Sequence, residues 1–181
     1  MPGLPILIGD SIFRRLLEEN KGLFDPVSKD TCKGGTKILE VYDLVRQHRL
    51  SVTGKDVIVL VGTNDLLEKS LLMIIRQAYK VLVRYLKRLK CGITLCEILP
   101  LPKFGQLATD LSTVLELNKF IRSFAPSGVR IVHAHDQFVQ NNVIRLHLYC
   151  KTIFRKNRGQ VVDLVHPNSE GLQCLLLCLE T

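Results

Sequence analysis

The sequence predicts an α/β domain, a three-layer α/β/α sandwich on a parallel sheet of about five strands. Two observations predict it. Short β-branched runs alternate with segments of helical period, and the runs end at a glycine or a polar turn. With 181 residues, 46% of them hydrophobic, the chain fits one domain over 1–181 with a single buried core.

The elements follow in order. Leu4 to Ile8 is a short apolar run stopped by Gly9, a strand. Ile12 to Asn20 has Ile12, Leu16 and Leu17 on one helical face, and Thr36 to Arg49 repeats that period through Ile38, Val41, Tyr42 and Val45. Asp56 to Val61, closed by Gly62, reads as a strand buried on both faces. Ser70 to Leu89 is a long amphipathic helix before a strand over Ile93 to Ile98. A helix over Asp110 to Phe124 stops at Pro126 and Gly128, ahead of a strand at Val129 to His133. Ser169 to Leu179 closes the chain as a helix. The stretch from His135 to Gln160 fits this alternation least and reads as an insertion.

Composition narrows the class. No apolar run approaches the roughly 20 residues that span a bilayer, and residues 1–7 carry no basic leader or cleavage signal. Six cysteines lie without C-x-x-C pairs or zinc-finger spacing, several inside apolar segments. A reduced, cytoplasmic protein is the expectation. The net charge of +8 is unevenly spread. Between Glu68 and Glu97 there is no acid, but Arg76, Lys80, Arg84, Lys87 and Arg88 occur at helical spacing. Between Asp136 and Asp163 acids are again absent, while Lys151, Arg155, Lys156 and Arg158 appear beside Tyr149 and Phe154. Such windows fit an anionic partner, RNA or DNA first. An anionic membrane ranks last, because no amphipathic anchor with aromatic tips is evident.

Four turns carry the chemistry. Gly9-Asp10-Ser11 puts a hydroxyl between a strand and a helix N-terminus, where backbone N–H groups are free, although an ordinary N-cap serine looks the same. Gly34-Gly35 precedes the second helix and could aim an N–H at an oxyanion, or simply turn. Asn64, after the strand ending at Val61, could donate into a crevice or make an Asx turn. Asp163 and His166, three residues apart before the last helix, could place an imidazole with a carboxylate behind it. Singly, each is weak.

Together, in the order Ser, Gly, Asn, Asp/His, they resemble the blocks of the SGNH (GDSL-type) hydrolase superfamily over nearly the whole chain. His166-Pro167-Asn168 followed by Gly171 is similar to its last block. The resemblance implies Ser11 as nucleophile, His166 as base and Asp163 as its orienting partner. It implies an oxyanion hole from the N–H groups of Ser11 and Gly34 plus the Asn64 amide. Ester hydrolysis through an acyl-enzyme follows, on small or lipid-like esters, with no metal or cofactor. Two departures stand out. The stretch between Ser11 and Gly34 is short, and Leu164 stands where the family places glycine.

The basic charge and the opening from Gly9 to Leu16 are also similar to two nucleic-acid-associated SGNH domains. One is that of Oskar, which binds RNA and lacks the catalytic residues. The other is the esterase domain of LINE-type retrotransposon first-open-reading-frame proteins. Keeping Ser11, Asp163 and His166 favours the esterase. An RNA-binding module with weak or no catalysis is the alternative.

Overall fold

A computed structural model describes residues 3–105, 111–155 and 159–180. Four parallel strands form the main sheet in the order β1 (Ile6–Gly9), β2 (Asp56–Leu60), β3 (Gly92–Cys96), β4 (Arg130–Val132). All four residues of β1 are buried, as are the last four of both β2 and β3. Burial on both faces explains why they read as continuous apolar runs rather than alternating ones.

The expected fifth strand has shrunk to one parallel bridge, Gly9 to Cys32, on the outer side of β1. The segment Ser28–Thr31 before it forms a short helix, α2, so only Cys32 remains extended enough to pair. Ser28 Oγ accepts from Leu7 N–H at 2.9 Å and the Thr31 hydroxyl donates to Leu7 O at 2.6 Å. Side chains thus complete an edge that a strand would otherwise pair.

The helices lie in two groups. On one side α3 (Ile38–Gln47), α6 (Leu72–Arg88) and α7 (Ser112–Arg122) pack in sequence; on the other α1 (Ser11–Glu19) packs with α9 (Ser169–Glu180). Each turns its periodic apolar face inward: Ile12, Phe13 and Leu16 from α1, Ile75, Tyr79, Leu82 and Leu86 from α6. Short helices α4 (Arg49–Val52) and α5 (Thr63–Leu67) flank β2. Among the described residues no helix is long and apolar enough to cross a membrane. Cys32, Cys91, Cys96, Cys150 and Cys174 are free thiols.

The region read as an insertion holds a short helix α8 (Ala134–Gln137) and two antiparallel hairpins. These are β5 (Val139–Gln140) with β6 (Val143–Ile144), and β7 (Thr152–Arg155) with β8 (Gly159–Val162). Between them Tyr149 is buried, edge-on to Phe138 at 5.7 Å, with its hydroxyl donating to Pro100 O at 2.7 Å. Tyr149 is core, not a stacking platform.

Past its last ladder residue, the chain leaving β3 is held by a side chain. Asn118 of α7, buried, accepts from Ile98 N–H at 2.8 Å and donates to Ile98 O at 2.9 Å. The amide thus mimics a neighbouring strand. Asn118→Leu leaves both backbone groups buried and unpaired, and should cost about 2–4 kcal/mol of unfolding free energy in urea melts. A loss below about 1 kcal/mol would show that the amide adds nothing beyond its volume.

Candidate active site

Three loops meet at the carboxyl end of the sheet, beside β1 and β2. Counting the Cys32 bridge, the chain reverses its direction of strand addition there, which is where open α/β sheets leave a crevice. Asp10, in extended conformation, caps α1 by accepting from Ile12 N–H at 2.9 Å. Ser11 is therefore the first helical residue, and its own N–H has no partner within the helix. Its Oγ lies 2.7 Å from His166 Nε2. On the far side of the ring, His166 Nδ1 is 2.9 Å and 3.0 Å from the two carboxylate oxygens of Asp163. Asp163 is buried and His166 is nearly so. The three side chains form one hydrogen-bonded row.

The glycine loop lies alongside. Lys33 N–H donates to Gly9 O at 3.1 Å, which ties the loop to the end of β1. A Cβ at Gly34 would stand 3.7 Å from Ser11 Cβ and 3.2 Å from the Arg14 guanidinium, so Gly34 lets the backbone come close to the hydroxyl. Gly35 beside it lines the cavity. Asn64 sits in the first turn of α5, which starts from Gly62 with φ of +119°. It donates one amide hydrogen to Thr36 O at 2.9 Å and keeps a second for the cavity it lines. Its neighbour Asp65 accepts from Ile38 N–H at 3.2 Å and caps α3. Asn64 and Asp65 together pin the glycine loop.

These groups line a cavity of about 680 Å³. Its wall includes residues that no sequence motif singled out: Arg14, Arg15, Lys103 and the hairpin pair Thr152 and Val162. Arg14 and Arg15 had a signal, standing three and four residues after Ser11 on one helix. Lys103 and the hairpin had none, since tertiary contacts alone bring them here. Among the described residues no cluster of three or more His, Cys, Asp or Glu side chains could hold a metal ion.

The OSK domain model matches residues 7–181. The chain belongs to the OSK domain family. Its fold is that of the crystal structure of the OSK domain of Drosophila Oskar, with a TM-score of 0.77 at 17% identity over 96% of this chain and 85% of that one. It is similar also to a GDSL-like lipase from Bacteroides thetaiotaomicron, with a TM-score of 0.72 at 14% identity, covering 97% and 84%. A member of the lipolytic G-D-S-L family from Veillonella parvula gives 0.67 at 15%, covering 97% and 96%. No curated protein matches the chain. At such identities the likeness is one of fold, and function lives in the site.

The basic residues of this OSK domain divide. On α6, Lys80, Arg84 and Arg88 are exposed, and among the described residues none has an ion pair. Arg76, expected in a stripe free of acids, instead pairs with Glu116 of α7 at 3.3 Å and lies over the Phe120 ring. Lys87 donates to Ser127 O at 2.8 Å. Packing against α7 and the turn that follows it supplied partners that a one-helix reading could not see. Lys151 is exposed just before β7. The side chain of Arg155, and Lys156 and Arg158 altogether, lie outside the described residues.

Burial also marks Asp10. Desolvation raises its carboxyl from the usual 3.8 to about 6, against the opposing pull of the Ile12 N–H, His166 and Thr63. A carboxyl whose folded value is raised contributes its full stability below the unfolded value of 3.8 and loses it as the pH rises through about 6. Asp10→Asn keeps the cap and removes the ionisation. Its unfolding free energy should exceed wild type by up to about 3 kcal/mol above pH 6, with the gap closing toward pH 4. A gap that does not change with pH would contradict this.

Proposed function

We propose that this OSK domain is a serine ester hydrolase. The single observation that carries the reading is the 2.7 Å approach of Ser11 Oγ to His166 Nε2, with Asp163 behind the ring. Nothing has to move for the proton to leave the hydroxyl. As Oγ bonds to the ester carbonyl carbon, its proton passes to Nε2 and the carbonyl π pair becomes an oxyanion. Asp163 fixes the tautomer that leaves Nε2 free and stabilises the imidazolium. The N–H groups of Ser11 and Gly34 and the spare Asn64 hydrogen are the donors for the oxyanion, each worth roughly 3 kcal/mol of barrier. Collapse expels the alcohol, which takes the proton from His166. Water then enters, gives its proton to the same nitrogen, and releases the acid by the reverse course. Metal and cofactor have no role in these steps.

The test is turnover of a short-chain aryl ester. Ser11→Ala should lower kcat by about 10⁴-fold or more, and Asp163→Asn by a comparable factor, since the wrong tautomer then faces Ser11. Turnover that persists in Ser11→Ala would defeat the reading.

A second reading has its own observation, the exposed Lys80, Arg84 and Arg88 on α6, which have no ion pair among the described residues. None of the cavity's lining residues is on that helix, so RNA binding there would coexist with hydrolysis. Single-stranded RNA should shift the domain on a gel at low salt. The Arg84→Glu, Arg88→Glu pair should weaken binding and flatten its salt dependence by about 0.7 in log–log slope per lost phosphate contact. Binding that ignores both salt and these substitutions would exclude the α6 face.

A further inference from the structure

Three cations, Arg14, Arg15 and Lys103, line the cavity that Ser11 also lines. The helical period turns Arg14 and Arg15 to the same side of α1 as Ser11. The Arg14 guanidinium rests against Gly34, where an added Cβ would come within 3.2 Å of its Nη1. Arg15 is half-buried, and its Nη1 donates to Cys150 Sγ at 3.3 Å, a weak acceptor that leaves the charge unmatched. Lys103 joins from the loop after β3, with its backbone N–H on Leu164 O at 3.2 Å, so it moves with the loop of Asp163 and His166. Among the described residues its ammonium has no ion pair. Arg14 pairs with Glu18 at 3.6 Å between two exposed side chains, an arrangement of little strength. Among the described residues the one acid in the cavity wall is Asp163, already held by His166.

Three like charges around one cavity repel one another and concentrate a positive potential at the nucleophile. We propose that the ester cleaved at Ser11 carries an oxyacid anion, phosphate, sulfate or carboxylate, which Arg14, Arg15 and Lys103 bind. This substrate class rests on the esterase reading above. The bonds made and broken at the carbonyl are those already given, and the anionic group passes through both steps unchanged.

Two matched pairs of esters test it and show which side of the ester bears the charge. 4-Acetoxybenzenesulfonate against 4-acetoxybenzenesulfonamide varies the alcohol. The 4-nitrophenyl monoester of glutaric acid against 4-nitrophenyl valerate varies the acyl group. In low salt, at least one charged ester should exceed its neutral partner about tenfold in kcat/KM, the effect of one or more charge-assisted hydrogen bonds. The preference should shrink toward unity in about 0.5 M salt. It should also fall about tenfold in the Arg15→Gln, Lys103→Gln pair, and in Lys103→Gln alone by a smaller factor. Arg49→Gln, an exposed change on α4, should leave the ratio at the wild-type value. Turnover of charged and neutral esters alike overturns the anionic substrate and spares the esterase. No turnover of any of the four overturns both.

Discussion

The grip of residues 147–151 on the loop of Asp163 and His166 is the constraint on which the site depends. Ser11 and His166 are 155 residues apart, and only tertiary structure keeps them within a hydrogen bond. Cys150 N–H donates to His166 O at 2.9 Å, Leu164 N–H to Cys150 O at 3.2 Å, Asp163 N–H to Lys151 O at 3.0 Å and Asn168 N–H to Leu148 O at 2.9 Å. Asn168 adds its side chain to His147 O at 2.6 Å. Leu164, where the SGNH pattern has glycine, is held at φ of +51°, which costs a side-chain-bearing residue roughly 1–2 kcal/mol. Backbone hydrogen bonds on both sides of it, to Cys150 and from Lys103, hold it there. The last helix comes close enough that a Cβ at Gly171 would overlap the Leu148 carbonyl oxygen.

Much of this fold was legible because its strands are short, buried and β-branched, and its longer helices keep their period over more than two turns. Ile6–Gly9, Asp56–Leu60 and Leu72–Arg88 differ from their sequence readings by a residue or two, where caps rather than patterns set the ends. The strand count of about five was one too many, because Ser28 and Thr31 hold the edge of β1 with hydroxyls and leave only the Cys32 bridge there. The hairpin of Thr152–Arg155 with Gly159–Val162 escaped for another reason: a basic, aromatic stretch fits a helix or a nucleic-acid loop as well as an exposed ribbon. Ser11, Asn64, Asp163 and His166 could be picked out because each ends or follows an element at the sheet's edge. Lys103 and the hairpin pair Thr152 and Val162 could not, since their place in the cavity depends on how separate segments fold over one another.

Charge serves two purposes in this molecule. Arg76 and Lys87 bind α6 to its neighbours, and Lys87 and Arg88 also stand in its last turn, where cations suit the helix dipole. What remains exposed on α6 is therefore smaller than the composition suggests. The cations at the cavity have no comparable structural use. An OSK domain that keeps a hydroxyl, imidazole and carboxylate in line thus carries two positive surfaces, one on α6 and one around the cavity. The fold itself, shared between Oskar and bacterial lipases, decides neither.

The most direct test of the central claim is a crystal structure of the domain after reaction with a fluorophosphonate. The expected result is a single bond from phosphorus to Ser11 Oγ, with the phosphonyl oxygen within hydrogen-bond distance of the Ser11 and Gly34 N–H groups and the Asn64 amide. An unmodified Ser11 beside an intact His166, or a label on another residue, would contradict it.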